Sequence, residues 1–458
     1  MTLAFSLVLF AAASAGAGSA ASPPPNVLLL LADDLRWDAV GYAGHPIVRT
    51  PNLDRWARRG VRFTQSFVNT SICSISRASL LTGQYESSHG VDDFVKPLSP
   101  AAMARTYPVL LREAGFRTGF IGKWGVGARD LPEAQFDYWK GFPGQGRYFE
   151  EEGGVHLTDR MADDAVEFLD GCKASQPFFL QISFKAPHES DGAKERFFPP
   201  AKRFEPLFAD LFVEPPPTAT PEAFAGLPGF LQESEARIRF ERQFGTPELY
   251  QKSVKDYFRL VAGIDDAVGR VAEKLRDSGL ADRTVVIFTS DNGFCLGDYG
   301  LQGKWFPFEP SIRVPLFIYD PRRGENGRDV DAMALTIDVA PTILELAGAP
   351  VPAEIQGRSL RPFLDGRTPP DWRKDFFYEH HFHHPQIPQS ECVRSGEWKY
   401  VRYVDRQPVF EQLFDLVRDP LELENAIDDP DAAGVLGLMR ERWRELREAV
   451  KRPPLSSS

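Results

Sequence analysis

Residues 69–83 read N-T-S-I-C-S-I-S-R-A-S-L-L-T-G, which places Cys73 four residues ahead of Arg77. This stretch predicts a helix that begins at Cys73. A helix N-terminus and a nearby cation both favour a negative charge, so a cysteine in this position is a candidate reactive thiol. A buried cysteine that merely begins a helix is the alternative interpretation. The choice between the two depends on motifs elsewhere in the chain.

Composition sets the class of protein. The chain has 458 residues, of which 43% are hydrophobic, enough for a large core and more than one domain-sized unit. The formal net charge of -11 argues against a nucleic-acid binder, which normally presents a basic face. An anionic substrate therefore requires a local cluster of lysine and arginine.

The amino terminus predicts export. Residues 2–18 are nearly all apolar or small, and small residues around Ala20 and Ala21 suit cleavage, so we predict a signal peptide over residues 1–21. No Lys or Arg precedes the apolar run, which leaves an uncleaved anchor as the alternative. Residues 27–32 are too few to span a membrane and predict a buried strand. We therefore expect a secreted or periplasmic protein with no membrane span after cleavage.

Four apolar runs predict strands, and each is followed by polar side chains. Because helical patterns separate the runs, we expect a largely parallel sheet, whose ligands bind beyond the carboxyl ends of its strands. The runs cover residues 26–32, 115–122, 177–184 and 284–289, and the residues at their ends are Asp33, Asp34, Lys123, His188, Asp291 and Asn292. We expect these side chains to lie close together.

Each of these residues also has a structural interpretation. An aspartate at a strand end often caps a helix, Asp-Asn-Gly is common in turns, and a lone lysine or histidine is more often solvated or structural than catalytic. Taken together, three carboxylates and one amide suit a hard cation, Ca²⁺ before Mg²⁺ because calcium sites are more flexible. The four cysteines do not define a disulfide framework.

Two longer segments separate these strands. Residues 189–247 are rich in Pro and Phe, with little periodicity until a helical pattern begins at Glu233. Long irregular segments are often functional lids, and these aromatic residues could stack on a sugar or simply cover the core. Residues 257–278 predict a long amphipathic helix that serves packing only.

Taken together, these motifs resemble the type I, formylglycine-dependent sulfatases of the alkaline phosphatase superfamily. The similarity includes the cysteine–arginine pair with L-T-G, the paired aspartates, T-P-N-L-D, G-K-W, A-P-H, S-D-N-G and a later G-K, and it extends over residues 26–425. It implies an α/β fold with a large, mixed, mostly parallel sheet flanked by helices, and a smaller antiparallel subdomain. We expect a signal peptide over 1–21, a catalytic domain over 26–365 and a C-terminal subdomain over 366–458 that closes the pocket.

The resemblance also implies a catalytic apparatus. A maturase would oxidise Cys73 to formylglycine, whose hydrate attacks sulfur and then expels sulfate by re-forming the aldehyde. The implied roles are metal ligation by Asp33, Asp34, Cys73, Asp291 and Asn292, charge neutralisation by Arg77, Lys123 and Lys304, and proton donation to the leaving oxygen by His188 with Lys304. Asp291 would also serve as base. The histidine-rich residues 378–385 could bind a transition metal, but the resemblance favours a turn at the substrate entrance, where His380 and His384 would contact the substrate.

Two positions depart from the family pattern. Ile75 stands where a proline is usual, and Gly125 stands where a histidine follows G-K-W. Three functions are therefore compared. The first is an exported sulfatase acting on a sulfated carbohydrate, the second a non-catalytic metal- and anion-binding protein on the same scaffold, and the third a phosphodiester or phosphonate hydrolase of the superfamily.

Overall fold

The computed structural model describes residues 24–129, 131–151, 153–325 and 327–451. The predicted signal peptide lies outside these ranges. The strands are β1 Asn26–Asp33, β2 Val61–Phe63, β3 Ser66–Phe67, β4 Arg117–Lys123, β5 Tyr138–Phe142, β6 Phe178–Pro187, β7 Thr284–Ser290, β8 Cys295–Leu296, β9 Gln302–Gly303, β10 Leu316–Tyr319, β11 Arg328–Val330, β12 Ala334–Leu335, β13 Asp375–His380, β14 Ser390–Ser395, β15 Trp398–Tyr403 and β16 Phe410–Asp415.

The helices are α1 Pro51–Arg59, α2 Cys73–Thr82, α3 Glu86–His89, α4 Pro100–Ala104, α5 Tyr107–Glu113, α6 Leu157–Asp170, α7 Pro221–Ala225, α8 Gly229–Gln232, α9 Glu235–Phe244, α10 Pro247–Asp277, α11 Glu309–Ile312, α12 Val339–Ala347, α13 Arg361–Leu364 and α14 Ala433–Val450. Within the described ranges, no helix combines the length and the apolar character needed to cross a bilayer.

The central layer is a mixed sheet of eight strands in the order β11-β2-β10-β7-β1-β6-β4-β5. Strand β1 pairs in parallel with both β6 and β7, whereas β10 runs antiparallel to its neighbours β7 and β2. The four predicted strands are therefore adjacent in the sheet, in the order β7-β1-β6-β4. Their carboxyl ends meet at one edge, as the sequence predicted.

Strand β1 is buried along its whole length because both faces of the sheet are covered. Leu28 and Leu30 point into a core shared with α1, α6 and α10. Leu29 and Leu31 point into the opposite core, shared with α2, α5 and α12. This alternation explains why the run is continuously apolar yet still forms a strand.

A second sheet consists of β13 to β16 in sequential antiparallel order, with α14 packed against it. The fold class is thus confirmed: a mostly parallel α/β sheet with a smaller antiparallel unit. The Lys399 ammonium on β15 connects the two parts by binding Glu309 at 2.9 Å and Glu422 at 2.6 Å. The boundary at residue 366 stays a prediction.

Two segments differ in extent from their predictions. Helix α10 begins at Pro247, ten residues before the predicted start, because the Thr246 side chain accepts a hydrogen bond from Leu249 N and Pro247 occupies the first turn. The segment predicted as irregular before Glu233 contains the short helices α7 and α8. Helix α9 follows where the helical pattern was predicted.

Candidate active site

Cys73 is the first residue of α2, as predicted, and only 1% of it is exposed. Its Sγ lies 3.1 Å from Nζ of Lys304. Burial raises the pKa of the Cys73 thiol to about 12, although Lys123 and Lys304 work against that shift. Burial thus outweighs the two lysines and favours the protonated form of the unmodified thiol, and the role of Cys73 as the nucleophile stays a prediction.

The paired aspartates lie at the carboxyl end of β1. Asp34 has a backbone φ of +65°, which is uncommon for a residue other than glycine. Its backbone N–H donates to Asp291 at 3.1 Å, and the Asn292 amide donates to its carboxylate at 2.6 Å. The left-handed turn at Asp34 thus places the carboxylates of β1 against the polar residues that follow β7.

Three buried cations neutralise these carboxylates. Arg77 donates to Asp291 at 2.8 Å, and Lys123 donates to Asp33 at 2.5 Å. Lys304 forms an ion pair with Asp34. Arg77 also donates to the carbonyl of Lys123 at 2.6 Å, which joins α2 to the end of β4. The nine residues Asp33, Asp34, Cys73, Arg77, Lys123, His188, Asp291, Asn292 and Lys304 form a buried cluster, which we call the Cys73 site.

The carboxylates differ in their electrostatic environment. Burial raises the pKa of Asp34 to about 7, against the influence of Lys304. Burial and the adjacent Asp33 also raise the pKa of Asp291. For Asp33, burial acts in the same direction, but Lys123 and the other cations hold its pKa well below the usual range. Closely spaced carboxylates with separated pKa values are typical of functional sites.

His188 follows β6, and its ring orientation is fixed by its own backbone neighbour. Nδ1 lies 2.8 Å from the carbonyl oxygen of Glu189, which can only accept, so Nδ1 carries a proton. Nε2 then faces the site, 3.6 Å from Asp34. Burial, reinforced by Lys304, lowers the pKa of His188 well below its usual value, so the ring is neutral.

A buried network behind His188 was not identified from the sequence. The Glu189 carboxylate accepts hydrogen bonds from Arg239 and Gln243 on α9, and from Gln302 at 3.5 Å. Its backbone carbonyl accepts a second hydrogen bond from Lys185 at 2.9 Å. The segment predicted as a lid or a cover for the core thus supports the histidine from behind. The partners lie far apart in the chain, so no local signal reveals them.

The donor set fits a hard cation. Asp33 Oδ1 and Asn292 Oδ1 are buried and accept no hydrogen bond from the described residues. Buried oxygens are rarely left unpaired, so these two atoms in one cluster are available to a cation. Ligand atoms of Asp33, Asp34, Cys73 and His188 all lie within 4.8 Å of one another. His188 thus joins the predicted metal ligands by position, and Asp291 and Asn292 adjoin them.

Ile75 and Gly125, the two positions that differ from the family pattern, both lie in closely packed surroundings. Ile75 is completely buried in the core between α2 and the antiparallel sheet. Gly125 has φ +79°, and a Cβ there would lie 2.7 Å from Cδ of Arg77. The Arg77 side chain therefore takes up the space beside Gly125, and a histidine at this position would collide with it.

The two histidines predicted to contact the substrate differ in burial. His380, at the end of β13, is completely buried, and neither ring nitrogen has a hydrogen-bond partner among the described residues. His384 is half-buried and stacks on Phe382, whose ring also contacts Phe94. Of the two predicted substrate contacts, His384 is the more accessible. Both roles stay predictions.

The Cys73 site does not lie in the large cleft of the molecule. A cleft of about 1190 Å³ lies elsewhere, and none of the nine residues of the Cys73 site lines it. Two of its arginines already have carboxylate partners: Arg36 pairs with Asp298, and Arg394 pairs with Glu309.

The four cysteines, all within the described ranges, are free thiols.

Comparison with known proteins agrees with the sulfatase resemblance of the sequence. The family model described as Sulfatase matches residues 25–349, and a second, described as N-sulphoglucosamine sulphohydrolase, C-terminal, matches residues 297–449. An N-acetylglucosamine-6-O-sulfatase of Bacteroides thetaiotaomicron is 29% identical over 86% of this chain and 81% of its own length. The multifunctional alkaline phosphatase superfamily protein PehA of Trinickia caryophylli is 30% identical, over 85% of this chain and 88% of its own.

One solved structure is similar along nearly the whole chain. It is a complex of a protein with its substrate, D-glucosamine-2-N,6-O-disulfate, and it superimposes with a TM-score of 0.85 at 26% identity. It covers 95% of this chain and 100% of that one. The fold, the matching family models and the convergence of predicted residues around Cys73 agree. The chain belongs to the sulfatase family of the alkaline phosphatase superfamily and is a sulfuric ester hydrolase.

Proposed function

We propose that the chain is an exported sulfatase that hydrolyses a sulfate ester on a sulfated carbohydrate, with Cys73 converted to formylglycine and Ca²⁺ bound beside it. The observation that carries the proposal is the position of Cys73. It lies at the start of a buried helix, 3.1 Å from the Lys304 ammonium and in a cluster with Asp33, Asp34 and His188.

Two groups that the family implies would complete this site. Asp33, Asp34, Asp291 and Asn292 would hold Ca²⁺, together with the group derived from Cys73. Bound there, the ion would neutralise charge on the sulfate oxygens and acidify the nucleophile. Formylglycine would supply a hydroxyl nucleophile in place of a thiol that burial keeps protonated.

The three cations of the site are suited to hold a tetrahedral anion. Arg77, Lys123 and Lys304 are each less than 6% exposed and are fixed by carboxylates before any substrate arrives. Preorganised charges of this kind need not reorganise during the reaction, which is the main source of electrostatic catalysis. Their arrangement favours catalysis over the non-catalytic alternative, since the Cys73 site contains every residue predicted for catalysis or metal binding.

His188 is the proposed donor of a proton to the leaving oxygen. The Glu189 carbonyl holds Nδ1, so only Nε2 is directed at the site. The ring is neutral because burial and Lys304 lower its pKa. A sulfate anion beside Nε2 would oppose the effect of Lys304 and raise that pKa, so protonation of His188 accompanies substrate binding.

The preference for a carbohydrate rests on similar proteins and on the surface near the histidine tract. Two of the matched descriptions name sulfated glucosamine compounds. In this chain Phe94, Phe382 and His384 form an aromatic group, and rings of this kind stack on sugar faces. We propose that His384 contacts the sugar, and that the predicted leader exports the protein.

A phosphonate or phosphodiester hydrolase is the second candidate. The similarity to a multifunctional superfamily protein favours it, because phosphate and sulfate present similar oxygen atoms to the same cations. The two candidates differ in which esters are cleaved. They share the nucleophile and the metal.

Direct assay separates them. The protein, coexpressed with a formylglycine maturase and supplied with Ca²⁺, is incubated with N-acetylglucosamine-6-sulfate, glucosamine-2-N,6-O-disulfate, bis(4-nitrophenyl) phosphate and 4-nitrophenyl phenylphosphonate. Ion chromatography measures the sulfate released, and the absorbance of 4-nitrophenolate measures cleavage of the phosphorus esters. We expect sulfate release that is abolished in Cys73→Ala. Turnover of the phosphorus esters alone would contradict the proposal and support the second candidate.

A further inference from the structure

The loop between β5 and α6 places a side chain at the Cys73 site, and no sequence motif predicted this contact. Gln145 lies between two glycines with left-handed backbones, Gly144 at φ +60° and Gly146 at φ +66°. A Cβ on Gly146 would lie 2.4 Å from the ring of Phe142. The local sequence therefore specifies the shape of this loop and the placement of Gln145.

The contact that Gln145 makes determines which way its amide points. Its Oε1 accepts a hydrogen bond of 2.5 Å from Nζ of Lys123, the same ammonium that binds Asp33. An ammonium only donates, so the amide oxygen must face Lys123 and the amide nitrogen must face away. The orientation of the amide is thus fixed by chemistry.

The amide nitrogen is left available. Among the described residues, none accepts a hydrogen bond from Gln145 Nε2, and this atom is not among the buried polar atoms that lack a partner. Gln145 is half-buried, so Nε2 is open to solvent beside a closed cluster. Two N–H donors with no protein acceptor therefore lie next to Lys123.

This donor differs from the cations of the site. Arg77, Lys123 and Lys304 are each paired with a carboxylate, whereas Gln145 is neutral and has no acidic partner in the described part of the chain. A sulfate oxygen that approaches Lys123 comes within reach of Gln145 Nε2. We propose that Gln145 contacts the substrate directly: its amide N–H donates to an oxygen of the sulfate group while its oxygen holds Lys123. This inference rests on sulfate ester hydrolysis at the Cys73 site.

The first test measures binding of inorganic sulfate by calorimetry to the metal-loaded, full-length protein and to Gln145→Leu. Loss of a hydrogen bond to an anion predicts binding weaker by about 10- to 100-fold, with an unchanged melting temperature. The matched control is Gln176→Leu, an exposed glutamine whose amide binds the Gly115 carbonyl at 3.2 Å, away from the site. Unchanged sulfate affinity in Gln145→Leu would overturn the proposal.

A second measurement separates direct contact from support of Lys123. Gln145→Leu is combined with Lys123→Gln, and sulfate affinity is measured around the resulting double-mutant cycle. Direct contact predicts that Gln145→Leu weakens sulfate binding in both backgrounds, because the glutamine in Lys123→Gln keeps an amide N–H that can donate to Oε1 of Gln145. A loss seen only when Lys123 is present would show that Gln145 acts through the lysine, and would overturn the proposal. Because binding is measured without turnover, a protein that binds sulfate through Gln145 yet cleaves no sulfate ester would contradict the proposed function and support the contact.

Discussion

The ammonium of Lys304 lies 3.1 Å from Sγ of Cys73 and at the same time pairs with Asp34. One lysine thus contacts both the proposed nucleophile and a proposed metal ligand. Burial opposes its charge, but Asp34 raises its pKa above the ordinary value, so it remains protonated. Replacing it with an apolar residue of similar length removes a preorganised charge from the sulfate pocket.

We expect Lys304→Met to lower kcat/KM for a sulfate ester by about 100-fold or more. Steady-state kinetics on the matured protein measure the effect. Lys252→Met is the control, because Lys252 is an exposed lysine on α10 whose ammonium donates to the carbonyl of Glu195 at 2.9 Å. Activity within about twofold of wild type in Lys304→Met would exclude Lys304 from the reaction.

Ca²⁺ binding is expected to depend on pH. Burial raises the pKa of Asp34 to about 7. A carboxylate must lose its proton before it binds a divalent cation, so protons compete with Ca²⁺ below that pH. The dissociation constant should fall by about tenfold per pH unit up to pH 7 and level off above it, with one proton released per ion bound below pH 7. Calorimetry across the range from about pH 5 to pH 8 checks this, and an affinity independent of pH would contradict it.

Gly125→Ala should damage the position of Arg77. The new Cβ would lie 2.7 Å from Cδ of Arg77, on a backbone at φ +79°. We expect a loss of stability of about 1–3 kcal/mol from the backbone strain, and in addition a fall in kcat. Gly115→Ala is the matched control, since its φ is +88° and nothing lies within 4 Å of a Cβ there. Thermal unfolding and kinetics are measured on both. If Gly125→Ala kept full kcat, the contact with Arg77 would not matter for catalysis.

Glu189→Ala should destabilise the fold. The buried carboxylate accepts from Arg239 and Gln243, and its removal leaves the arginine without that partner. Arg239 keeps its ion pair with Glu235 at 2.8 Å, so the main loss is the acceptor of the buried Gln243 amide. We expect the free energy of unfolding to fall by about 1–3 kcal/mol, as measured by urea denaturation. Glu233→Ala, which removes an exposed glutamate from the same segment, should change it by less than about 0.5 kcal/mol. Equal effects of the two changes would show that the Glu189 network contributes little to stability.

Much of the site could be predicted because it lies at strand ends. An apolar run that stops at a charged residue indicates both the strand and the position of its carboxyl end. Parallel pairing of β1 with β6 and β7 then brings Asp33, His188 and Asp291 together. Local patterns therefore sufficed for four adjacent strands of the main sheet and for the side chains at their ends, whereas the roles of Arg77 and Lys304 came from the family resemblance.

The rest depends on contacts that no local pattern encodes. The left-handed turn at Asp34 is enforced by Asp291 and Asn292, more than 250 residues away. The protonation of Cys73 follows from the depth of burial, which outweighs the neighbouring cations. Gln145 enters the site from a loop whose glycines indicate only a turn. Each of these depends on tertiary packing around the residue.

Conversion of Cys73 to formylglycine is the central claim, and the mass of the peptide that contains residue 73 tests it most directly. The protein is purified from a host with a formylglycine maturase, digested and analysed by mass spectrometry. We expect a mass about 18 Da below that of the cysteine peptide, the loss that accompanies conversion of the thiol to an aldehyde. An unmodified cysteine in a preparation that hydrolyses sulfate esters would contradict it.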